Sequence, residues 1–187
     1  MKKLLFALLT CTSSALAWTP AVPEVRLYFS RGGEYVARVE PSISKLDEDP
    51  KGPARLLLFH YDSAASTYSR VSSVALENKY APGKILLTPD GARIIAVDDF
   101  YDWQYKSPVI VIYDSAGVVL KKLMLDEIIA KVEASELRKS SKPWMLDVTL
   151  GSGYIYIQRD GQVAGPGDYK KSLKVSLTDY RITDDVL

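Results

Sequence analysis

Cysteine and histidine are almost absent from this 187-residue sequence, which contains one of each. The cysteine, Cys11, lies in an N-terminal segment that we expect to be removed. The mature chain would then have no thiol for a disulfide or for nucleophilic catalysis, so its stability must come from its core. The histidine, His60, lies in an apolar run and is too isolated for a His-rich zinc site, and no phosphate-binding loop motif is present. We therefore expect neither a metal site built on these residues nor a cofactor.

Clustered positive charge is also lacking. The chain has 24 basic and 23 acidic residues. Loss of Lys2 and Lys3 with the leader would leave 22 basic residues and a net charge of −1. Nucleic-acid binding requires concentrated positive charge, so we expect no nucleic-acid partner.

Long hydrophobic runs are missing as well. The apolar stretch Leu4–Leu9 is far shorter than the roughly 20 residues that a membrane-spanning helix needs. It follows two lysines and precedes Ala15-Leu16-Ala17, an order that is typical of a secretory signal peptide. We expect residues 1–17 to be cleaved and the mature protein, one domain over 18–187, to be periplasmic or secreted and not membrane-spanning. Lipidation of Cys11 is the alternative fate of the N-terminus.

Internal repeats organise the rest of the chain. The segment Arg26–Pro41 aligns with Ile85–Phe100, and Ala54–Val74 aligns with Pro108–Leu125, where a Tyr-Asp-Ser-Ala tetrapeptide recurs. A fainter third copy runs from Trp144 to Ile182. In each copy apolar runs are separated by turns rich in glycine, a pattern that predicts antiparallel β-hairpins.

The apolar pattern assigns positions within each copy. Leu56–Phe59 and Val109–Tyr113 are almost continuously apolar, as strands buried on both faces are. Tyr68–Leu76 and Val118–Leu125 mix polar and apolar residues, as outer strands with one wet face do. The fold class predicted is mainly β: antiparallel four-stranded blade-like repeats, two clear and a third expected, arranged as a propeller or an open stack.

One helix interrupts this pattern. Residues 126–138 carry apolar side chains at helical spacing, with Asp126 as the predicted N-cap and a Ser-Ser-Lys-Pro breaker after the segment. We interpret it as an inserted amphipathic helix that covers the core or an open edge. A partner-binding role is the alternative.

The hairpin Leu-Thr-Pro-Asp-Gly-Ala-Arg-Ile-Ile-Ala-Val, followed by Val-Ile-Val-Ile-Tyr-Asp, resembles blades of the β-propeller repeat superfamily, including the WD40-like repeats. The chain also resembles secreted bacterial proteins that carry such repeats and have no assigned activity. It lacks the Trp-Asp and Gly-His signatures of WD40 blades, and three copies are fewer than the about four to eight of a closed propeller. The resemblance implies a truncated propeller, an open stack sealed by the helix, or half of a dimeric ring.

The most distinctive loop is Asp98–Tyr105, with the sequence DDFYDWQY. Its carboxylates and aromatic rings could stack on a sugar or hold Ca²⁺, although the spacing is not that of an EF-hand. The alternative is a solvated loop whose rings wedge between sheets. The candidate ligand-binding residues are Asp98, Asp99, Tyr101, Asp102, Trp103 and Tyr105.

Carboxylates also recur seven residues beyond the turn glycines, at Glu40, Asp98 and Asp160. If the copies are equivalent, these could form an acidic opening, or each could start a turn. We expect a non-enzymatic binding or interaction module for a protein or glycan partner. The alternatives are a hydrolase or lyase acting on envelope carbohydrate through Asp98, Asp99 or Asp102, and a structural subunit that completes a larger propeller by self-association.

Overall fold

The computed structural model of the protein describes residues 24–42, 52–78, 81–98, 108–128, 147–158 and 171–186. Within these ranges the chain is almost entirely β. The strands of three four-stranded antiparallel sheets follow one another in sequence order. The first sheet contains β1 (Arg26–Phe29), β2 (Tyr35–Glu40), β3 (Arg55–Asp62) and β4 (Thr67–Ala75). The second contains β5 (Lys84–Leu87), β6 (Arg93–Val97), β7 (Ile110–Asp114) and β8 (Val119–Leu123). The third contains β9 (Asp147–Gly151), β10 (Tyr154–Gln158), β11 (Lys171–Ser176) and β12 (Ile182–Val186).

Each sheet is a simple meander, which confirms the predicted mainly β fold of blade-like repeats, including the third copy. The last strand continues past Ile182, where the predicted third copy ended. The first strands of the sheets lie together, since β5 contacts both β1 and β9. The sheets therefore stack around a shared inner edge in a propeller-like arrangement.

Matching turns show why the first two copies are equivalent. The Tyr35 N–H donates to Ser30 Oγ over 3.0 Å, and the Arg93 N–H donates to Thr88 Oγ1 over 2.9 Å. Ser30 and Thr88 thus occupy the same place in their hairpins, 58 positions apart (88 minus 30). In each hairpin, local hydrogen bonding by a hydroxyl side chain fixes the turn.

The second sheet is buried on both faces. Along β6, Ile94 and Ala96 pack toward the first sheet, whereas Ile95 and Val97 pack toward the third. Alternation of side chains along a strand produces this division. The core between the first and second sheets contains Ala37, Val39, Ala54, Leu56, Leu58, Val74, Leu76, Ile85, Leu87, Ile94, Ala96, Val111 and Tyr113. The core between the second and third contains Ile95, Val97, Ile110, Ile112, Leu123, Ile128, Val148, Ile155, Ile157, Leu173 and Val175.

The prediction of two buried faces is right for the second sheet and wrong for the first. Residues 110–113 are fully buried. In β3 only Leu56 and Leu58 are buried, while Leu57 and Phe59 remain partly exposed. Among the described residues no sheet packs on that outer side, so half of this apolar run faces outward.

The structure describes only the first turn of the predicted helix, α1 (Leu125–Ile128), and residues 129–146 lie outside the described ranges. The helix begins one residue before Asp126, which is therefore not its N-cap. The carboxylate of Glu127 instead accepts a hydrogen bond from the Met124 N–H over 2.7 Å. In a capping box, the side chain of the third helical residue accepts such a hydrogen bond from the backbone N–H of the N-cap residue. Ile128 packs into the core between the second and third sheets, as a packing role requires.

Candidate functional site

One end of the stack carries the end of β4, the start of β5, the end of β6 and the start of β7. We call it the linker end, after the linker that joins β4 to β5. Lys84, the first residue of β5, pairs with Val97, the last residue of β6, and Val97 pairs with Ile110 at the start of β7. Asp98 directly follows Val97, so it lies at this end.

Asp98 is a carboxylate with little access to solvent, at 9% exposure. Its backbone N–H donates to the Val109 carbonyl over 2.8 Å, which extends the pairing of β6 and β7 by one residue. Its side chain accepts a hydrogen bond from Asn78 Nδ2, with 3.4 Å between Nδ2 and Oδ2. The carboxylate is thus held between a strand end and the linker.

Asn78 is the less usual member of this pair. It is 1% exposed, and its Oδ1 has no hydrogen-bond partner among the described residues. A buried polar atom without a partner costs about 1–3 kcal/mol and is uncommon in folded proteins. With the Asp98 carboxylate beside it, the local chemistry favours a group that donates hydrogen bonds, such as water or a hydroxyl of a ligand.

Neighbouring contacts hold the linker in place. The Glu77 N–H donates to Tyr113 Oη over 2.8 Å, and the Glu77 carboxylate pairs with Lys122 Nζ at 2.8 Å. Burial raises the pKa of Tyr113 to about 12, so this hydroxyl remains neutral at physiological pH. The segment that carries Asn78 is therefore fixed to the second sheet.

The inner edge of the linker end is tied across sheets. Arg26 Nη1 and Tyr28 Oη donate to the Gly83 carbonyl over 3.5 and 3.3 Å. Lys84 Nζ donates to Asp147 Oδ1 over 2.8 Å and to the Val148 carbonyl over 2.7 Å. The hydrogen bond from Lys84 is the main reason that the pKa of Asp147 lies below its ordinary value.

The proposed acidic opening does not form from the two described carboxylates. Glu40 ends β2 where Asp98 follows β6, so the positions are equivalent, as predicted. Glu40 is paired with Arg38 at 3.2 Å, however, and Asp98 is nearly buried. The third position, Asp160, lies outside the described residues.

Of the predicted ligand-binding residues, the structure places only Asp98. Asp99, Tyr101, Asp102, Trp103 and Tyr105 lie within 99–107, outside the described ranges, so a ligand site on this loop stays a prediction. Sequence reasoning missed Asn78 and Tyr113. Asn78 belongs to no recognisable motif, and the repeated Tyr-Asp-Ser-Ala tetrapeptide that contains Tyr113 indicates a strand end and a turn but no bond to the linker. The roles of the two residues depend on contacts across 20 and 36 positions of the chain.

Within the described ranges, no cluster of three or more histidine, cysteine, aspartate or glutamate residues could hold a metal ion. No described helix has the length and apolar character needed to cross a membrane.

Comparison with known proteins finds no matching family model and no matching curated protein. Among solved structures, the chain is similar to a "putative 6-phosphogluconolactonase" from Bacteroides fragilis, with 13% identity and a TM-score of 0.46. The match covers 85% of this chain and 36% of that one. A second similarity is to the tricorn protease, with 13% identity, a TM-score of 0.34, and coverage of 84% and 18%. The chain therefore spans about a third or less of the length of these structures.

These comparisons correct the first functional expectation. The chain was expected to be a non-enzymatic binding or interaction module. The structural neighbour from Bacteroides fragilis is described as an enzyme, and no described contact supports a purely binding role. The non-enzymatic interpretation is therefore withdrawn, whereas the propeller-like arrangement of four-stranded sheets stands on the structure itself.

Proposed function

We propose that this protein is an exported bacterial enzyme of the cell envelope that acts on carbohydrate, either as a hydrolase or as a lyase. The observation that carries the proposal is the pairing of Asp98 with Asn78. A nearly buried carboxylate lies beside a buried amide oxygen that has no described partner, at the start of the acidic and aromatic loop. Unsatisfied buried polar groups are unusual enough to mark a candidate ligand site.

The neighbouring sequence contains the side chains that such chemistry requires. Glycoside hydrolysis uses two carboxyl groups, one of which protonates the leaving oxygen. A lyase needs a base for the proton next to a uronate carboxylate. In this proposal Asp98 is one acid or base, Asp99 or Asp102 is the second carboxyl group, and Trp103 stacks on a sugar ring.

The test uses purified mature protein, residues 18–187, and a panel of envelope polysaccharides that includes peptidoglycan and uronate-containing polymers. New reducing ends with no change in ultraviolet absorbance would indicate hydrolysis. Reducing ends together with the absorbance of an unsaturated uronate would indicate a lyase. Absence of both products across the panel would reject the proposal.

Asp98→Asn retains shape and removes the charge, so we expect activity to fall by about 100-fold or more. Asp62→Asn is the matched control. Asp62 lies at the opposite end of the first sheet, and its Oδ1 accepts hydrogen bonds from the backbone N–H groups of Ala64 and Ala65. The side-chain oxygen of asparagine accepts the same two bonds. The Asp62→Asn variant should therefore retain full activity. Asp102→Asn, in the predicted ligand-binding loop, provides a second test if Asp98→Asn lowers the melting temperature.

A further inference from the structure

The outward side of the first sheet carries a group of apolar side chains that no sheet covers among the described residues, and Arg38 and Arg70 share this side with them. We call this surface the outer face. Its apolar side chains are Leu27, Phe29, Val36, Leu57 and Phe59. Leu27 is 57% exposed and Phe29 is 61% exposed. The largest apolar patch on a protein surface is often a functional site.

The register shows which kind of surface this is. With Ser30 matched to Thr88, the outer-face residues correspond to Ile85, Leu87, Ile94, Val111 and Tyr113 of the second sheet. Those five residues pack against the first sheet and are buried. The outer face therefore occupies the position that is buried between sheets in the next copy.

The other end of the stack has a different surface. Ile155 and Ile157 face the core, so Tyr154 and Tyr156 face outward from the third sheet. Lys174 lies over the Tyr156 ring, 5.4 Å from its centre, and Thr149 is exposed nearby. This surface is polar and aromatic. A head-to-tail ring would bury it against the outer face and would leave its polar groups without partners.

We propose that the outer face pairs with the same face of a second copy, forming a two-fold symmetric dimer. In such an interface the apolar side chains of the two copies pack together, and the symmetry closes the assembly at two chains. The polar surface of the third sheet remains in water.

Charge sets the orientation of the two copies. Arg38 and Arg55 are exposed at the linker end of the outer face. Glu40 is next to both, because it forms an ion pair with Arg38 in β2 and lies opposite Arg55 of β3. Glu34 is exposed at the opposite end and precedes Val36 by two residues. A two-fold axis perpendicular to the strands places the arginines of one copy over Glu34 of the other.

The size of the face limits the strength of the dimer. Four strands spaced by about 4.8 Å and about five residues at 3.3 Å each give a footprint of roughly 300 Å² per copy. Stable interfaces bury about 800 Å² on each partner. The dimer should therefore be reversible, with a dissociation constant in roughly the micromolar range.

Size-exclusion chromatography with light scattering, on residues 18–187 across a range of concentrations, tests the proposal. We expect a monomer at low concentration and a dimer at high concentration. Phe29→Asp should weaken dimerisation by about tenfold or more, because a charge would be buried within the contact. Tyr154→Asp is the matched control, and it should dimerise as the parent chain does. Loss of the dimer in both variants would indicate head-to-tail assembly and overturn the proposal.

A monomer at every concentration would also overturn it, as would a dimer that Phe29→Asp leaves intact. Because Phe29 is exposed, Phe29→Asp should fold, and Leu27→Asp gives an independent test in the same strand. Glu34→Arg and Arg38→Glu should each weaken the dimer, and the double variant should restore it. Failure of the double variant to restore binding would exclude the orientation. Enzymatic assays are not needed, so this outcome is independent of the proposed activity.

Discussion

The two interfaces that the second sheet makes differ in how they are specified. Toward the first sheet it packs Tyr113, and hydrogen bonds to Glu77, Asn78 and Gly83 hold the linker between them. Toward the third sheet the buried side chains are aliphatic. The polar contacts described at that interface are the hydrogen bonds that Lys84 donates to the Asp147 carboxylate and to the Val148 carbonyl.

This contrast separates two ways of stacking sheets. An aliphatic layer stabilises through the area it removes from water and tolerates changes in shape. Hydrogen bonds and close contacts add a requirement for one relative position, because buried polar groups must keep their partners. We call the interface between the second and first sheets the first interface, and that between the second and third sheets the second interface. We infer that the first interface fixes the geometry of the linker end and that the second interface contributes mainly burial.

The largest expected effect compares the two cores directly. Ile94 and Ile95 are adjacent, both have zero exposure, and they face the first and third sheets respectively. We expect Ile94→Ala and Ile95→Ala each to lower the free energy of unfolding by about 2–5 kcal/mol in urea titrations. Equal losses would show that both faces are buried in solution. A loss at Ile95 of about 1 kcal/mol or less would contradict the packing of the third sheet.

The next effect concerns a close contact at the first interface. Gly91 has a φ of 66°, and a Cβ at that position would lie 2.4 Å from Cε1 of Tyr35. Gly33 has a φ of 77° and no atom within 4 Å of its Cβ position. Gly91→Ala should destabilise by about 1–3 kcal/mol more than Gly33→Ala, because both variants strain the backbone but only one meets the ring. Equal losses, measured by thermal and urea unfolding, would show that Tyr35 moves aside freely.

A buried hydroxyl should contribute more than an exposed one. Tyr113→Phe removes the acceptor of the Glu77 N–H and should cost about 1–2 kcal/mol. Tyr68→Phe removes a 2.6 Å hydrogen bond to the Gly33 carbonyl at an exposed site, where water can replace it, so about 0.5 kcal/mol or less is expected. Urea titrations of the two variants provide the measurement, and a larger loss at Tyr68 would contradict the assignment.

Tyr113 should also make stability depend on alkaline pH. Its pKa is raised from 10.0 to about 12 in the folded protein, so the unfolded chain loses this proton first. Stability should be complete below pH 10 and should fall as the pH rises from 10 to 12. Part of this decline should be missing in Tyr113→Phe. Identical pH profiles for the variant and the parent would show that the hydroxyl is accessible to water.

The smallest effect is expected at the second interface. Lys84→Met removes a partly exposed ion pair and one hydrogen bond to a carbonyl, which together should contribute about 1 kcal/mol or less. The pKa of Asp147 is lowered in the folded state, so its contribution is present above the unfolded value of 3.8 and is lost as the pH falls below it. The parent should therefore lose its advantage over Lys84→Met in acid. An advantage that persists in acid would assign the effect to the carbonyl contact.

Much of the fold could be predicted because hairpins are local. Turns at Gly33, Gly91, Gly117 and Gly153 adopt positive φ where the sequence indicated them. The candidate site was far less predictable. Asp98 stood out through its acidic loop. Asn78 became notable only because the linker places it against Asp98 and its amide oxygen has no partner among the residues that the structure describes.

By itself the sequence determined the strands, the turns and the order of three meanders, because alternation of side chains and turn chemistry act over a few residues. The tertiary structure alone decided which faces are covered. It buried both sides of Val111 and Ile112 while leaving Leu57 and Phe59 partly exposed in an equally apolar strand. The physical reason is position: within the part of the chain that the structure describes, the second sheet has a neighbour on each side and the first has one. Burial depends on the neighbour as much as on the residue.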